Sequence, residues 1–271
     1  MEITTRKREA RTMLNKVPEV TALFWVIKIM STTVGETAAD FLAGNVGLGL
    51  TNTSLIMAVL LAGVLVAQFR SRRYVPSIYW LAVVLISVVG TLISDNLVDN
   101  FGVSLWTTTA VFGACLAATF TLWQRAEGTL SIHSIVTRRR EGFYWLAILF
   151  TFALGTSAGD LVSEKLALGY LLSAGIFGGL IALVALAFWQ GGLSSVLAFW
   201  TAYVLTRPFG ASIGDFLTAP APVGGLGLGT NGTSALFLAV ILGAVSWFTL
   251  QQRRTNTELA ALETSVGSRL A

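Results

Sequence analysis

The stretch WVIKIMSTTVGETAAD, residues 25–40, decides the fold, because its pattern occurs four times along the chain. In each copy a glycine follows a tryptophan by ten residues, and an aspartate follows that glycine by five. The chain holds only eight tryptophans and five aspartates, so four matched sets indicate an internal repeat rather than coincidence. The repeated residues are Trp25, Gly35 and Asp40; Trp80, Gly90 and Asp95; Trp145, Gly155 and Asp160; and Trp200, Gly210 and Asp215.

The composition indicates a membrane protein. Hydrophobic residues make up 54% of the 271 residues and charged residues only 12%, whereas soluble domains carry about 25% charged residues. Mean hydropathy is +0.73. A helix needs about 20 apolar residues to cross a hydrocarbon core about 30 Å thick. The apolar runs predict eight such helices, with the lipid bilayer as their partner, at 20–43, 52–69, 77–98, 103–124, 142–164, 167–189, 193–217 and 231–250.

Basic residues alternate between the predicted loops and fix an orientation. They cluster before the first span, after spans two and four, and after the last span, whereas loops 44–51, 99–102 and 218–230 have none. The positive-inside rule then places both termini in the cytoplasm. The clusters form no single patch, so no nucleic-acid partner is predicted. The predicted organisation is a cytoplasmic tail at 1–19, a first half at 20–124, a cytoplasmic loop at 125–141, a second half at 142–250 and a cytoplasmic tail at 251–271.

The repeat unit is predicted to be a helical hairpin, because each copy lies in an odd-numbered span and an apolar even-numbered span follows it. The predicted fold is therefore all-α, a polytopic membrane protein whose eight transmembrane helices form four hairpins related in parallel. Equivalent residues then lie at equal depth, with each aspartate about 22 Å beyond its tryptophan. Trp25, Trp80, Trp145 and Trp200 are predicted to anchor the helices at the cytoplasmic interface.

Two interpretations of the repeated glycines stay open at this point. Small residues allow helices to approach closely, and a glycine in each repeat would serve that packing. Alternatively, Gly35, Gly90, Gly155 and Gly210 break their helices and free carbonyl groups to line a polar cavity.

Seven acidic residues near one depth are the candidate functional residues. A carboxylate inside a span costs about 2.5–3.5 kcal/mol and is functional by default, so these side chains are expected to face a cavity rather than lipid. Asp99 and Glu164 lie near the ends of their spans, where solvation among headgroups is the alternative. The predicted residues for binding a cation or proton are Glu36, Asp40, Asp95, Asp99, Asp160, Glu164 and Asp215.

Two basic residues inside spans each precede an acid by eight residues, which places cation and acid on one side of a helix. Lys28 is predicted either to pair with another helix or to act as a counter-charge that occupies the cavity when substrate is absent, and Arg207 is predicted as a second supporting cation. For each of them, snorkelling to the cytoplasmic headgroups is the alternative. Pro208 makes its position a candidate kink. The hydroxyl and amide side chains predicted to support the acids are Thr33, Thr37, Asn96 and Thr156.

The candidate residues offer oxygen ligands, and the chain has one histidine and one cysteine. Oxygen ligands favour hard cations such as Mn²⁺, Mg²⁺ or Ca²⁺ over Zn²⁺. Protons are equally compatible, because clustered carboxylates can titrate near neutral pH. No cofactor and no enzyme activity are predicted. The predicted metal ligands are Glu36, Asp40, Asp95, Asp160 and Asp215.

The N-terminal part of the chain resembles a bacterial family of uncharacterised membrane-anchored proteins. The resemblance is carried by KVPEVT at 16–21, FW at 24–25 and TTVGETAAD at 32–40, and it covers the whole chain. It implies a multi-pass protein of the bacterial inner (cell) membrane and implies no activity. The Gly-Glu-Thr and Gly-Asp elements are also distantly similar to a family of cation/proton exchangers, although Gly159-Asp160 lacks the lysine that follows in that family's motif.

Three functions are compatible with these residues. The first is a transporter, either an exporter of a hard divalent cation or a cation/proton exchanger, whose cargo binds the intramembrane carboxylates. The second is a non-catalytic membrane scaffold or sensor, in which Lys28, Arg207 and hydroxyl groups satisfy the acids. The third is an intramembrane aspartyl protease, since two aspartates at equal depth could share a proton, but a Gly-x-Gly-Asp signature is absent. The sequence is also compatible with an oligomer.

Overall fold

The computed structural model describes residues 16–270, with side chains described through 247 and at 249 and 250. This part of the chain contains eight α-helices and no β-strand, which confirms the predicted all-helical class. Each predicted span overlaps one helix. The helices are α1 (Ala22–Asp40), α2 (Gly49–Arg70), α3 (Pro76–Asp95), α4 (Leu105–Glu127), α5 (Arg138–Asp160), α6 (Tyr170–Trp189), α7 (Ser195–Thr218) and α8 (Gly229–Leu270).

The last helix is longer than predicted. It continues to Leu270, whereas the predicted span ends at residue 250 and is followed by a tail. Residues 251–270 of that predicted tail are therefore helical. No glycine or proline occurs from 244 to 266 to stop the helix. Of the predicted N-terminal tail, residues 1–15 lie outside the described residues.

Helices α1, α3, α5 and α7, which carry the four copies of the repeat, form a closed ring. Each packs along its two neighbours in the order α1, α3, α5, α7, and α7 packs in turn on α1. Most of the fully buried side chains belong to these helices. Residues at equivalent positions of the repeats therefore face each other across and around the same axis.

Close contact at the repeated glycines closes the ring. The helices run without interruption through all four positions, so the glycines do not break them. Each glycine lies against the residue three positions before the glycine of the next repeat. A Cβ atom added at Gly90 would lie 2.6 Å from the Cβ of Phe152, which leaves no room for a side chain. The four contacts are Gly35 with Ser87, Gly90 with Phe152, Gly155 with Arg207, and Gly210 with Thr32.

The even-numbered helices surround the ring, and each packs mainly on the inner helix of the following repeat. Helix α2 lies along α3, α4 along α5, α6 along α7, and α8 along α1. The prediction that the two helices of one repeat pack as a hairpin is therefore wrong. A π turn at Phe41–Asn45 separates α1 from α2 and contacts both, which lets α2 reach the neighbouring inner helix. The same exchange joins the predicted halves 20–124 and 142–250.

Six of the helices are long and apolar enough to cross a membrane. They are α2, α4 and α6, α3 and α5 with the turns that follow them, and Gly229–Trp247 of α8. Inner helices α1 and α7 are not among the six. They carry Lys28, Glu36 and Asp40, and Arg207 and Asp215, respectively. Ionisable residues inside a bundle are tolerated because other helices separate them from lipid.

The repeated tryptophans lie in the interior of the ring. Trp80, Trp145 and Trp200 are buried, and Trp25 is half-buried. They pack edge-on against the aromatic residues that precede them; for example, the ring centroids of Tyr79 and Trp80 are 5.2 Å apart. The predicted interface anchors are therefore largely core residues. Their large aromatic surfaces fill the end of the ring opposite the aspartates.

Candidate cation-binding cavity

The structure brings the four repeated aspartates together around one cavity of about 380 Å³. The cavity lies where the inner helices end, and the carboxylates of Asp99 and Glu164 line it as well. Six of the seven predicted acids thus share one space. The other lining residues are Leu50, Val98, Leu105, Tyr170, Thr218, Ala219 and Thr230.

A change in helix geometry follows three of the four aspartates. Asp40, Asp95 and Asp160 are each the last residue of an α-helix, and a five-residue π turn begins directly after each of them. Such turns widen the helix and are frequent at functional sites. Two of these turns contain Asp99 and Glu164, so the turns add carboxylates to the wall of the cavity. Helix α7 has no π turn after its aspartate and continues to Thr218.

The carboxylates of the four repeated aspartates make no hydrogen bond or ion pair with any residue that the structure describes. Asp95, Asp160 and Asp215 are half-buried, and Asp40 is exposed, so water reaches all four through the cavity. No basic residue is among the described residues that line the cavity. A concave surface with one sign of charge and low-dielectric walls concentrates ions of the opposite sign. Its six carboxylates, with no basic residue among the described lining residues, make the cavity a candidate site for cations.

The predicted metal ligands come from the four inner helices, and Glu36 is not among the residues that line the cavity. Among the side chains that the structure describes, no group of three or more from histidine, cysteine, aspartate and glutamate is arranged as a metal site. The predicted ligand set Glu36, Asp40, Asp95, Asp160 and Asp215 is therefore wrong as one coordination sphere. The reason is geometric, because the ring holds one aspartate on each of four helices around a cavity of about 380 Å³.

Glu36 lies below the cavity and binds Arg207 instead of lining the wall. Arg207 Nη2 donates to Glu36 Oε2 at 2.5 Å and to Thr156 Oγ1 at 2.7 Å, and also contacts the hydroxyl of Thr91. Its Nη1 donates to the carbonyl oxygen of Thr32 at 3.0 Å. The arginine is completely buried. Arg207 therefore pairs with Glu36 on another helix, and the aspartates have no ion-pair partner among the described residues.

The repeats found by spacing coincide with four matches to one family. The matched residues are 23–74, 78–129, 143–191 and 198–254, which together make up more than half of the chain. The chain belongs to the family described as Repeat of Unknown Function (DUF347). Each DUF347 repeat contains one complete Trp-Gly-Asp set. The match agrees with the resemblance to an uncharacterised family and does not extend to cation/proton exchangers. No curated protein and no solved structure matches the chain.

The first DUF347 repeat contributes a second interior cation. The Lys28 amine lies 4.5 Å from the ring centre of Phe152 and 4.4 Å from that of Tyr203, and it donates to Thr32 Oγ1 at 3.3 Å. The lysine is fully buried, so the alternative of snorkelling is wrong. Within the described residues it has no carboxylate in ion-pair distance, so it does not neutralise the acids. Aromatic faces attract the ammonium group instead.

Three of the four predicted supporting side chains tie helices together outside the cavity. Thr33 donates to the carbonyl oxygen of Gly210 at 2.9 Å and so joins α1 to α7. Thr37 hydrogen-bonds Ser234, and Asn96 donates to Ser54 at 2.8 Å. These bonds hold the DUF347 repeats in register. Of the predicted set, only Thr156 belongs to the Arg207 cluster.

Sequence reasoning missed several polar residues. Tyr170 lines the cavity and donates to Glu164 Oε1 at 3.4 Å, but nothing in the repeat pattern marks it. At the opposite end, Lys16 pairs with the fully buried Glu141 at 2.6 Å, and Gln68 donates to the same carboxylate at 3.1 Å. A lone acid after three arginines at 138–140 was the available signal for this cluster. It fastens the segment before α1 to the start of α5.

Proposed function

We propose that this protein is a multi-pass membrane transporter for cations and that the carboxylate cavity is its cation entry site. The observation that carries the proposal is the convergence of one aspartate from each of the four DUF347 repeats on a single cavity. Repeats related by a common axis place equivalent side chains at one depth, which is how transporters built from repeats form a shared site.

The aspartates have no hydrogen-bond or ion-pair partner among the described residues, which favours binding over scaffolding. In a scaffold or sensor, the acids would be satisfied by Lys28 and Arg207, but those cations bind aromatic rings and Glu36. Carboxylates at membrane depth without a partner are costly unless they face water or a ligand. The four aspartates therefore fit a site that exchanges ions with solution.

The volume of the cavity supports a proposal for how the ion is bound. A hard divalent cation such as Mg²⁺ keeps several waters and binds through one or two carboxylates. A cavity of about 380 Å³ has room for such a hydrated ion, and its carboxylates also accept protons. We infer exchange of a hydrated divalent cation, with Mn²⁺, Mg²⁺ and Ca²⁺ as candidates, against a second cation or a proton.

The proposed transporter also has a defined arrangement in the membrane. All eight helices cross the bilayer, with α1 and α7 shielded from lipid by the outer helices. From the basic clusters we infer that both termini lie in the cytoplasm, and from the resemblance to a bacterial family we infer that the membrane is bacterial. The cavity then opens to the outside, because it lies at the end of the inner helices opposite the tryptophans.

Ion flux into proteoliposomes tests the proposal. Purified protein is reconstituted, and uptake of Mn²⁺, Mg²⁺ and Ca²⁺ is followed together with internal pH. Asp95→Asn and Asp160→Asn are expected to lower the flux by roughly tenfold or more, which corresponds to about 1.4 kcal/mol. Glu19→Gln changes an exposed acid outside the cavity and should leave the flux unchanged. Equal flux in the wild type and both aspartate variants, or no flux in the wild type, would refute transport through this cavity.

A further inference from the structure

The hydrogen bonds of the Arg207 guanidinium group all go to oxygen atoms, and the ring centre of Phe152 lies 5.5 Å from its central carbon. The group makes five hydrogen bonds, to the Glu36 carboxylate, to two threonine hydroxyls and to two main-chain carbonyls. The oxygen atoms come from α1, α3 and α5, and the arginine comes from α7. The partners of Arg207, which form the Glu36 pocket, are Glu36, Thr91, Thr156, Thr32 and Phe152.

The repeat explains why the pocket has this composition. The residue that follows the repeated glycine is Glu36, Thr91, Thr156 and Ala211 in the four repeats, respectively. Three repeats thus supply an oxygen-bearing side chain at one level, and the fourth supplies a methyl group. The fourth repeat instead provides a cation one turn earlier, at Arg207. The pocket is therefore a site of oxygen ligands that is filled by a cationic side chain of the same protein, Arg207.

The charge of the pocket matches a monovalent cation. It contains one carboxylate, and its other ligands are neutral hydroxyl and carbonyl oxygens. One positive charge balances that set, and a divalent ion would leave an uncompensated charge in a fully buried place. Oxygen ligands of this kind suit hard ions.

The pocket lies directly below the cavity. Glu36 precedes Asp40 by four residues on α1, which is about 6 Å along the helix. Thr156 precedes Asp160 by the same interval on α5. An ion in the cavity is thus about one helical turn from the pocket, and a displaced guanidinium group is about one turn from unpaired carboxylates.

We propose that the Glu36 pocket is an inner binding site for a monovalent cation and that Arg207 holds it in this structure. A monovalent cation arriving from the cavity competes with Arg207 for Glu36. The released arginine then pairs with the carboxylates of the cavity and weakens their hold on the transported ion. This rests on the proposed function and assigns the pocket to the second, coupled cation of the exchange.

Rescue by small cations tests the site without measuring transport. Arg207→Ala is purified in detergent, and its Tm is measured with guanidinium, Na⁺ or Mg²⁺ chloride at millimolar concentration and matched ionic strength. Guanidinium or Na⁺ is expected to raise the Tm by a few degrees, about 2–4 °C, in a saturable way. Glu36→Gln/Arg207→Ala, which lacks the carboxylate, should not respond. The wild type should respond less than Arg207→Ala, because a cation must first displace the arginine from its pocket.

Several results would overturn the inference. They are no Tm rise with either monovalent cation, an equal rise in the double variant, and a rise with Mg²⁺ alone. If the alanine variant does not fold, Arg207→Gln is assayed in the same way, with Glu36→Gln/Arg207→Gln as its control and the same criteria. A positive rescue together with absent flux would refute the proposed function and leave the site standing. Flux without rescue would refute the inner cation site and leave the proposed function standing.

Discussion

The cavity and the Glu36 pocket lie one helical turn apart, and their carboxylates differ in whether a basic residue binds them. In the cavity, four repeated aspartates reach water, and their carboxylates make no hydrogen bond or ion pair with the described residues. In the pocket, the carboxylate of Glu36 is buried and bound by a guanidinium group that makes five hydrogen bonds. The difference separates a place that attracts ions from solution from a place that is already satisfied.

Removal of the Arg207 side chain should lower the free energy of unfolding more than any other change considered below. Arg207→Ala leaves Glu36 as an uncompensated buried charge, and breaking a buried pair in this way costs about 3–5 kcal/mol. The free energy of unfolding in detergent, from denaturant titration, measures the loss. Glu36→Gln/Arg207→Gln removes both charges and keeps hydrogen-bonding groups, so its loss should be clearly smaller. A single variant as stable as the double variant would contradict the account of the pocket.

Substitution of a repeated glycine at a contact between two inner helices should give the next largest loss in the free energy of unfolding. In Gly155→Ala the new Cβ overlaps the stem of Arg207 and contacts Pro208, so helices α5 and α7 must separate. Overpacking of this kind costs about 1–3 kcal/mol. Gly179→Ala is the matched control, because Gly179 is an exposed glycine of α6 with no atom within 4 Å of the added Cβ. It should be neutral or slightly stabilising, since alanine favours helix. The same unfolding titration compares the two, and equal losses would argue against close packing at the ring.

The periodic residues made much of this structure predictable. A tryptophan, a glycine and an aspartate at fixed spacing on four like-oriented helices must lie at common levels if the helices pack together. The fixed spacing therefore predicts a shared aspartate cavity, and it predicts close packing as one role of Gly35, Gly90, Gly155 and Gly210. Both predictions need only the rise per residue of an α-helix and the positions of the repeated residues in the sequence.

What was missed depends on contacts between distant parts of the chain. The spacing does not reveal that α2 packs on α3 rather than on α1, nor that a π turn follows Asp40. It gave Glu36 and Asp40 the same role, because they share a helix face. Only the position of Arg207, more than 160 residues away in the sequence, separates Glu36 from the aspartates. The tryptophans were placed at the interface because depth, and not burial, follows from the spacing.

Neutralising a cavity acid should change stability least. Asp160 has no hydrogen bond or ion pair to lose among the described residues, so Asp160→Asn is expected to alter the free energy of unfolding by about 0.5 kcal/mol or less. Reduced repulsion from the other five cavity carboxylates makes a small gain the expected direction. Glu36→Gln, one turn lower, removes the partner of a buried arginine and should cost several times more. Equal losses in the two variants would erase the distinction between cavity and pocket.

One aspartate from each of the four repeats lines the same cavity, which transport requires to be negatively charged and open to water. Cysteine accessibility tests this requirement most directly, with Asp40→Cys, Asp95→Cys, Asp160→Cys and Asp215→Cys introduced singly into a Cys115→Ser background. A cationic, membrane-impermeant thiol reagent should modify all four from the same side of the membrane, about tenfold or more faster than an anionic reagent of similar size. Equal rates for the two reagents, or reaction of the four positions from different sides, would contradict the account.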